Sequence, residues 1–487
     1  MTAPFATEFF VDGEFVRGDS APIAVRSPAT DQPLAEVPGA SAAMAARAAE
    51  ANGRAARAMR AVGVLKRVEL VRRLAAAIRS DSALLSRLLT LESGKPIVES
   101  RGEVEYAASF FDNAASAAET ATGDMPAARL PDRRVLVVRE PVGATVAITP
   151  WNFPLAMIAR KLAPALAAGC SQLVKPAEET PLAALQFARI FARVAAECGA
   201  PPAAFGVVAG DAPTIARAFI EEPATRKLTF TGSTEVGRLL AAQCAPRLLR
   251  TSLELGGNAP FIVFGDADID RAVEQAMLTK FRFMGQTCIS ANRFLLADTV
   301  AEEFLAKLAQ RMQALVLGDP LSEATRIGPL INDSAIAKVS GHVRDAVAKG
   351  ARVRLGGNRV RPAGLSDRFF EPTILEGCTP AMHCSCEETF GPVVATMTFR
   401  TESDALALAN SGPHGLAAYV MTQDADRLMR VAEALDFGVV GANDGAPSTA
   451  EAPFGGRKDS GYGREGGSYG LDAYTDLKYI SLRVRSG

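Results

Sequence analysis

Residues 227–257 read KLTFTGSTEVGRLLAAQCAPRLLRTSLELGG. The segment 227–231 is β-rich and ends at Thr231-Gly232-Ser233. An amphipathic helix is predicted over 236–245, and a second apolar strand, 251–255, stops at Gly256-Gly257. Strand, helix and strand at such short spacing form the repeating unit of a parallel sheet with helices on its faces. The same alternation extends backwards. Strands are predicted at 142–149, 172–175 and 205–208, and helices at 157–168, 181–198 (closed by Gly199) and 212–221. It restarts beyond Gly257 with a strand at 261–264 and a helix over 267–283, and continues to about Asn443. Two such runs predict two parallel-sheet domains.

The flanks complete the expected α/β fold. Asp12-Gly13 within FFVDGEFV (residues 9–16) signals a hairpin. Ala-rich helices are predicted at 41–59, 64–91 and 97–121. In the second, Val64, Val68, Val71, Ala75 and Ile78 recur at steps of three and four. The stretches 133–139 and 474–485 look like β-arms that pair as a small third element, and such arms usually need a partner chain to cover them. The expected division is a nucleotide-binding domain from 1–121 and 145–256, a catalytic domain from 257–456, and an oligomerisation arm from 122–144 and 466–487.

Composition excludes several classes. The chain has 487 residues, 53 basic and 54 acidic, for a net charge of −1, which argues against nucleic-acid or membrane-surface binding. With 48% hydrophobic and 22% charged residues it is an ordinary globular protein. The most apolar stretch, 155–170, is broken by Arg160, Lys161 and Pro164, so no membrane span is expected. Seven irregularly spaced cysteines suggest a reduced, cytoplasmic protein.

Four places carry chemistry. Cys288, in Gly285-Gln286-Thr287-Cys288, follows a predicted helix within small and polar residues, where a thiol can be exposed and aimed. The other six cysteines read as small buried hydrophobes. Glu254 ends an apolar strand. It either faces water and pairs with Arg250, or is desolvated with a raised pKa and able to activate water. Asn152, in Thr149-Pro150-Trp151-Asn152-Phe153-Pro154, is either a helix cap or an oxyanion donor held by two prolines. Lys175-Pro176-Ala177-Glu178 and Thr231-Gly232-Ser233 each follow a strand and open a helix. They lack the G-x-G-x-x-G spacing, yet a helix N-terminus there suits a phosphate.

Taken together these pieces resemble the aldehyde dehydrogenase superfamily. PWNFP (150–154), KPAE (175–178), FTGST (230–234), LELGG (253–257), GQTC (285–288), EETFGP (387–392) and PFGG (453–456) follow in the family's order across nearly the whole chain. The resemblance implies two Rossmann-like domains and a homodimer or homotetramer. It implies that Cys288 attacks the aldehyde and that Asn152 and the Cys288 N–H hold the oxyanion. Glu254 then activates the water that hydrolyses the thioester. Trp151, Lys175, Glu178, Gly232, Ser233, Glu388 and Phe390 would bind the cofactor. A carboxylate at Glu178 beside the adenosine ribose predicts NAD rather than NADP.

Within the superfamily the chain resembles the NAD(P)-dependent succinate-semialdehyde dehydrogenases. That likeness implies that Arg160, Arg282 and Ser448 bind the far carboxylate of a short ω-carboxy aldehyde, and guanidinium forks suit that task. Succinate semialdehyde is the expected substrate, with glutarate semialdehyde or a broader range of aldehydes as the alternative. A non-catalytic binding protein would commonly have lost Cys288 or Glu254, and an acylating enzyme generally lacks the base. Three positions depart from the subfamily. Ser290 replaces the second cysteine of a redox switch. Phe283 stands where relatives carry Asn, and Ala446-Pro447 where they carry two bulky aliphatics, so both are expected to reshape the pocket. The run His383-Cys384-Ser385-Cys386 lacks a second ligand pair and reads as a loop, not a zinc site. The Gly-rich run 461–470 reads as a mobile connection near the pocket mouth.

Overall fold

The computed structural model describes residues 5–484. Two twisted sheets organise it. In the first, five strands run parallel in the spatial order Phe205–Val207, Ser171–Lys175, Ala144–Ile148, Thr225–Thr231, Arg250–Glu254. The chain moves outward one way from Ala144–Ile148 and the other way from Thr225–Thr231. The strand order therefore reverses between these two, and a crevice opens beyond their carboxyl ends. Trp151 and Asn152 follow the first strand; Gly232 and Ser233 follow the second.

The hairpin Phe9–Val11/Glu14–Val16 extends one edge of this sheet. Asp12 and Gly13 both have positive φ (55° and 84°), as a two-residue turn matched to strand twist requires. The opposite edge is closed by Gly461–Tyr462, antiparallel to Arg250–Glu254.

The second sheet repeats this winding. Val393–Phe399, Ala291–Ala297, Ala259–Val263, Ala417–Met421 and Val439–Ala442 are parallel neighbours in that order. Thr373–Glu376 joins in parallel outside Val393–Phe399, and Arg352–Leu355 is antiparallel at the edge. Along Ala259–Val263, Phe261 and Val263 enter one core and Ile262 the other, so the sheet is covered on both faces.

Strands Arg133–Pro141 and Thr475–Arg483 pair antiparallel through nine residue pairs. Leu477 and Tyr479 on this ribbon are 66% and 61% exposed. Residue 485 of the expected arm, like 486 and 487, lies outside the described residues, as do residues 1–4.

Local differences from the sequence reading have physical causes. The helix expected over 64–91 is two, Val64–Ser80 and Ser82–Ser93, parted at Asp81 (φ −93°, ψ 15°). A hairpin, Ser20–Arg26 with Pro33–Gly39, occupies a stretch without strand patterning. The helix after Asp268 stops at Phe281 and is followed by three left-handed residues: Phe283, Met284 and Gly285. The run 461–470 is not a loose connection. It supplies an edge strand and a buried glutamate, and then helix Gly467–Asp472, which packs on Ile97–Thr120 and Ala156–Ala168. The arm strand begins only at Thr475. His383–Cys386 is a short helix, and among the described residues no group of three or more His, Cys, Asp or Glu could hold a metal ion. No helix among them is long and apolar enough to cross a membrane.

Candidate active site

A cavity of about 470 Å³ lies between the two sheets. Asn152, Glu254 and Cys288, from three separate segments, all line it. Cys288 sits just beyond the left-handed turn. The β-carbon of any residue replacing Gly257 would lie 2.3 Å from the Cys288 carbonyl oxygen, so only glycine admits the nucleophile's backbone this close. Enclosure pushes the Cys288 thiol up to about 12, reinforced by the carboxylates of Glu388 and Glu254 and opposed by Arg160. The group rests as a thiol.

Glu254 is 3% exposed, and both of its carboxylate oxygens are buried without a hydrogen-bond partner. Burial and the neighbouring Glu465 carboxylate raise it well above the usual carboxyl range. The alternative pairing with Arg250 is absent, because Arg250 engages Asp476 at the base of the arm. Asn152 donates one amide proton to the Gln286 carbonyl at 3.0 Å. That bond ties the PWNFP turn to the cysteine loop, and an amide nitrogen carries a second proton for the cavity.

Arg160, Arg282 and Ser448 line the same cavity. Arg160 is 3% exposed and stacked between Phe454 and Phe110, with its Cζ 4.2 and 5.0 Å from the ring centres. Its Nε lies 2.9 Å from a Glu465 carboxylate oxygen but out of line for a hydrogen bond, which leaves Nε and Nη2 unsatisfied. Arg282 rests on Phe153 (4.8 Å) and Tyr106 (5.5 Å) and, among the described residues, has no carboxylate at ion-pair distance. Phe283, expected to reshape the pocket, does not line it. The ring is fully buried beside Trp151 and Phe153, with the Lys95 ammonium 4.6 Å from its centre. Ala446 and Pro447 are likewise not among the lining residues.

The residues expected to hold the cofactor fall into two groups. Trp151, Gly232, Ser233, Glu388 and Phe390 line the cavity. Glu388 accepts the Gly257 N–H at 3.1 Å, and burial pushes its carboxyl up to about 7. Trp151 and Phe390 meet edge-on at 5.5 Å. The Ser233 hydroxyl caps helix Thr234–Cys244, and the Gly232 N–H is already taken by the Glu254 carbonyl. Lys175 and Glu178 lie outside the cavity, ion-paired with each other at 2.6 Å.

Two further side chains belong to no motif. Tyr106, on helix Ile97–Thr120, lines the cavity with its hydroxyl 2.7 Å from the Ser448 Oγ. Glu465 is buried and ion-paired with Lys161 and Arg160. A lone acidic residue within GYGREGGSYG was the available sign of Glu465; for Tyr106 it was a polar stripe at helical spacing.

The chain belongs to the aldehyde dehydrogenase family, whose model matches residues 15–480, and it is an oxidoreductase of that class. It is 45% identical to a glutarate-semialdehyde dehydrogenase of Pseudomonas aeruginosa, covering 98% of each chain. It is 44% identical to a succinate-semialdehyde dehydrogenase [NADP(+)] of Escherichia coli, again over 98% of each. A crystal structure described as an E. coli NADP-dependent enzyme superposes with a TM-score of 0.95 at 44% identity, over 99% of each chain.

These relatives overturn the expectation of NAD, since two of them are named for NADP. A free carboxylate at Glu178 would repel a 2′-phosphate. Here its charge is compensated by Lys175 at 2.6 Å.

Proposed function

We propose that this aldehyde dehydrogenase oxidises a short ω-carboxy aldehyde, succinate or glutarate semialdehyde, to the dicarboxylate with NADP. The observation carrying this reading is a single cavity in which a thiol, an unpartnered buried carboxylate and two arginines short of acceptors converge. An aldehyde with a neutral tail would leave Arg282 without an anionic partner and the buried Nε and Nη2 of Arg160 unsatisfied, and unsatisfied buried donors are costly.

The crevice fits a dinucleotide. It lies where the strand order reverses, a helix N-terminus opens onto it at Ser233, and the buried Glu388 carboxylate is available to ribose hydroxyls. Ser233, Glu388, Trp151 and Phe390 would hold the nicotinamide half, and Lys175 with Glu178 the adenosine ribose. When bound, the cofactor supplies the hydride acceptor.

The chain's own residues do the rest. Because Cys288 rests as a thiol, its proton must leave as sulfur adds to the aldehyde carbon. Glu254, unpartnered in the same cavity, takes that proton. The second Asn152 amide proton and the Cys288 N–H stabilise the oxyanion. Glu254 then releases that proton to solvent and, after hydride loss, deprotonates a water. Hydroxide adds to the thioester carbon, the carbon–sulfur bond breaks, and the thiolate is reprotonated. Arg160, Arg282 and Ser448 fix the far carboxylate. Glu465 holds Arg160 and keeps Glu254 basic. The exposed apolar ribbon 475–483 supports assembly as a homodimer or homotetramer.

The test is coenzyme reduction with succinate semialdehyde, glutarate semialdehyde and hexanal, each with NADP and NAD. The carboxylated substrates with NADP should lead in kcat/KM. A lead for hexanal would end the substrate reading.

A further inference from the structure

Helix Ile97–Thr120 presents Glu99, Glu103, Tyr106 and Phe110 at steps of four, three and four, which is one face of a helix. Each residue on this stripe grips a part of the site. Glu99 accepts the N–H of Phe283, the residue after Arg282, at 2.6 Å. Glu103 accepts the Leu155 N–H at 3.0 Å and pairs with Lys95. The Tyr106 ring lies beneath Arg282, and the Phe110 ring beneath Arg160. The Tyr106 hydroxyl meets Ser448 at 2.7 Å within the cavity.

We propose that Tyr106 is a specificity-determining residue whose hydroxyl, paired with that of Ser448, forms the O–H donor that selects a substrate carboxylate. This rests on the ω-carboxy reading above. Two bonded hydroxyls hold two protons. One lies between them, and the other is left for the cavity. A carboxylate, which only accepts, takes it, and its two oxygens still have lone pairs for Arg160 and Arg282. An alkyl tail leaves that proton, Arg282 and the buried Nη2 of Arg160 without an acceptor, so the pair also rejects neutral aldehydes. Either hydroxyl can be the donor into the cavity. When Tyr106 donates into the cavity it accepts the Ser448 proton, and when Ser448 donates into the cavity Tyr106 donates to the Ser448 oxygen and so orients it.

The test is Tyr106→Phe, which keeps the ring beneath Arg282 and removes only the hydroxyl. KM for succinate semialdehyde should rise about ten-fold or more, the loss expected for one hydrogen bond to a charged group, while kcat with it and kcat/KM for hexanal stay within about two-fold. Because the two hydroxyls act as one unit, Tyr106→Phe with Ser448→Ala should lose less than the product of the single losses. An unchanged ratio between the two substrates, an equal loss on both, or strictly multiplicative single effects would each overturn the assignment. A wild-type enzyme that does not prefer carboxylated aldehydes would overturn the ω-carboxy reading and the Tyr106 role with it. A wild-type preference that is undiminished in Tyr106→Phe overturns the Tyr106 role alone.

Discussion

Replacing Glu465 with Gln should move the acid limb of the pH–rate profile towards lower pH. Glu465 sits between Lys161 and Arg160 and raises the Glu254 carboxyl from across the same buried cluster. A general base works only when ionised, so activity rises as pH passes through the Glu254 titration. Glu465→Gln removes a negative charge that opposes that ionisation. It also leaves Lys161 and Arg160 uncompensated, which favours ionisation further, so both effects have the same sign. A unit charge at 4 Å is worth about 4 kcal/mol at an effective dielectric of about 20. The two carboxylates share no hydrogen bond, so they act from beyond contact. On the order of 1–2 kcal/mol remains, or about one pH unit. The assay is kcat/KM for succinate semialdehyde from pH 5.5 to 9.5, with Glu254→Gln as the control that should abolish the limb. A limb that stays in place or rises in Glu465→Gln would refute the reasoning. Stability gives a second readout. Burial opposes ionisation of Glu465 itself, but Lys161 and Arg160 together hold its carboxyl below the ordinary value. A depressed carboxyl stabilises the fold above its unfolded pKa and loses that contribution in acid. The substitution should therefore cost stability at neutral pH, at about the 3 kcal/mol low end for one partner of a buried pair. The gap from wild type should narrow as pH falls below about 4.5.

Three further outcomes are expected. Cys288→Ala should abolish NADPH formation and leave the melting temperature and circular dichroism unchanged; retained turnover would remove the thiol from the mechanism. Gly257→Ala places a β-carbon 2.3 Å from the Cys288 carbonyl oxygen. The nucleophile must shift by about 1 Å, so kcat should fall on the order of 10²-fold, against which a normal rate would show that the loop yields freely. Leu477→Asp with Tyr479→Asp puts charge on the exposed ribbon and should reduce the proposed homodimer or homotetramer to a smaller species by light scattering, whereas an unchanged mass would overturn the ribbon as its interface.

Periodicity exposed what depends on local sequence and concealed what depends on packing. The βα alternation from 142 onward was legible because each unit carries its own strand pattern and turn glycines, and the two arms because β-branched and apolar residues cluster there between charged ones. The break at Asp81 was not legible, since apolar spacing runs on through it and the restart is set by what each helix packs against. The site divides in the same way. Cys288, Glu254 and Asn152 stand in motifs because Glu254 ends a strand, Asn152 follows one and Cys288 follows the turn that closes a helix, places where chain direction aims a side chain without help from elsewhere. Glu465 and Tyr106 lie in a Gly-rich run and in mid-helix; the sheet edge at 461–462 brings Glu465 against Arg160 and Lys161 behind the cavity, and the packing of helix Ile97–Thr120 brings Tyr106 into its lining. Phe283 shows the converse. It stands beside Arg282 in sequence, yet the left-handed turn rotates its ring out of the cavity and against Trp151 and Phe153. Under the proposed function, residue 283 would act on the substrate end through the backbone next to Arg282, which Glu99 braces at the Phe283 N–H, and not by filling space. On the proposed reading, selectivity for the tail of the aldehyde would then depend on helix Ile97–Thr120, which carries Glu99, Tyr106 and Phe110, as much as on Arg160 and Arg282.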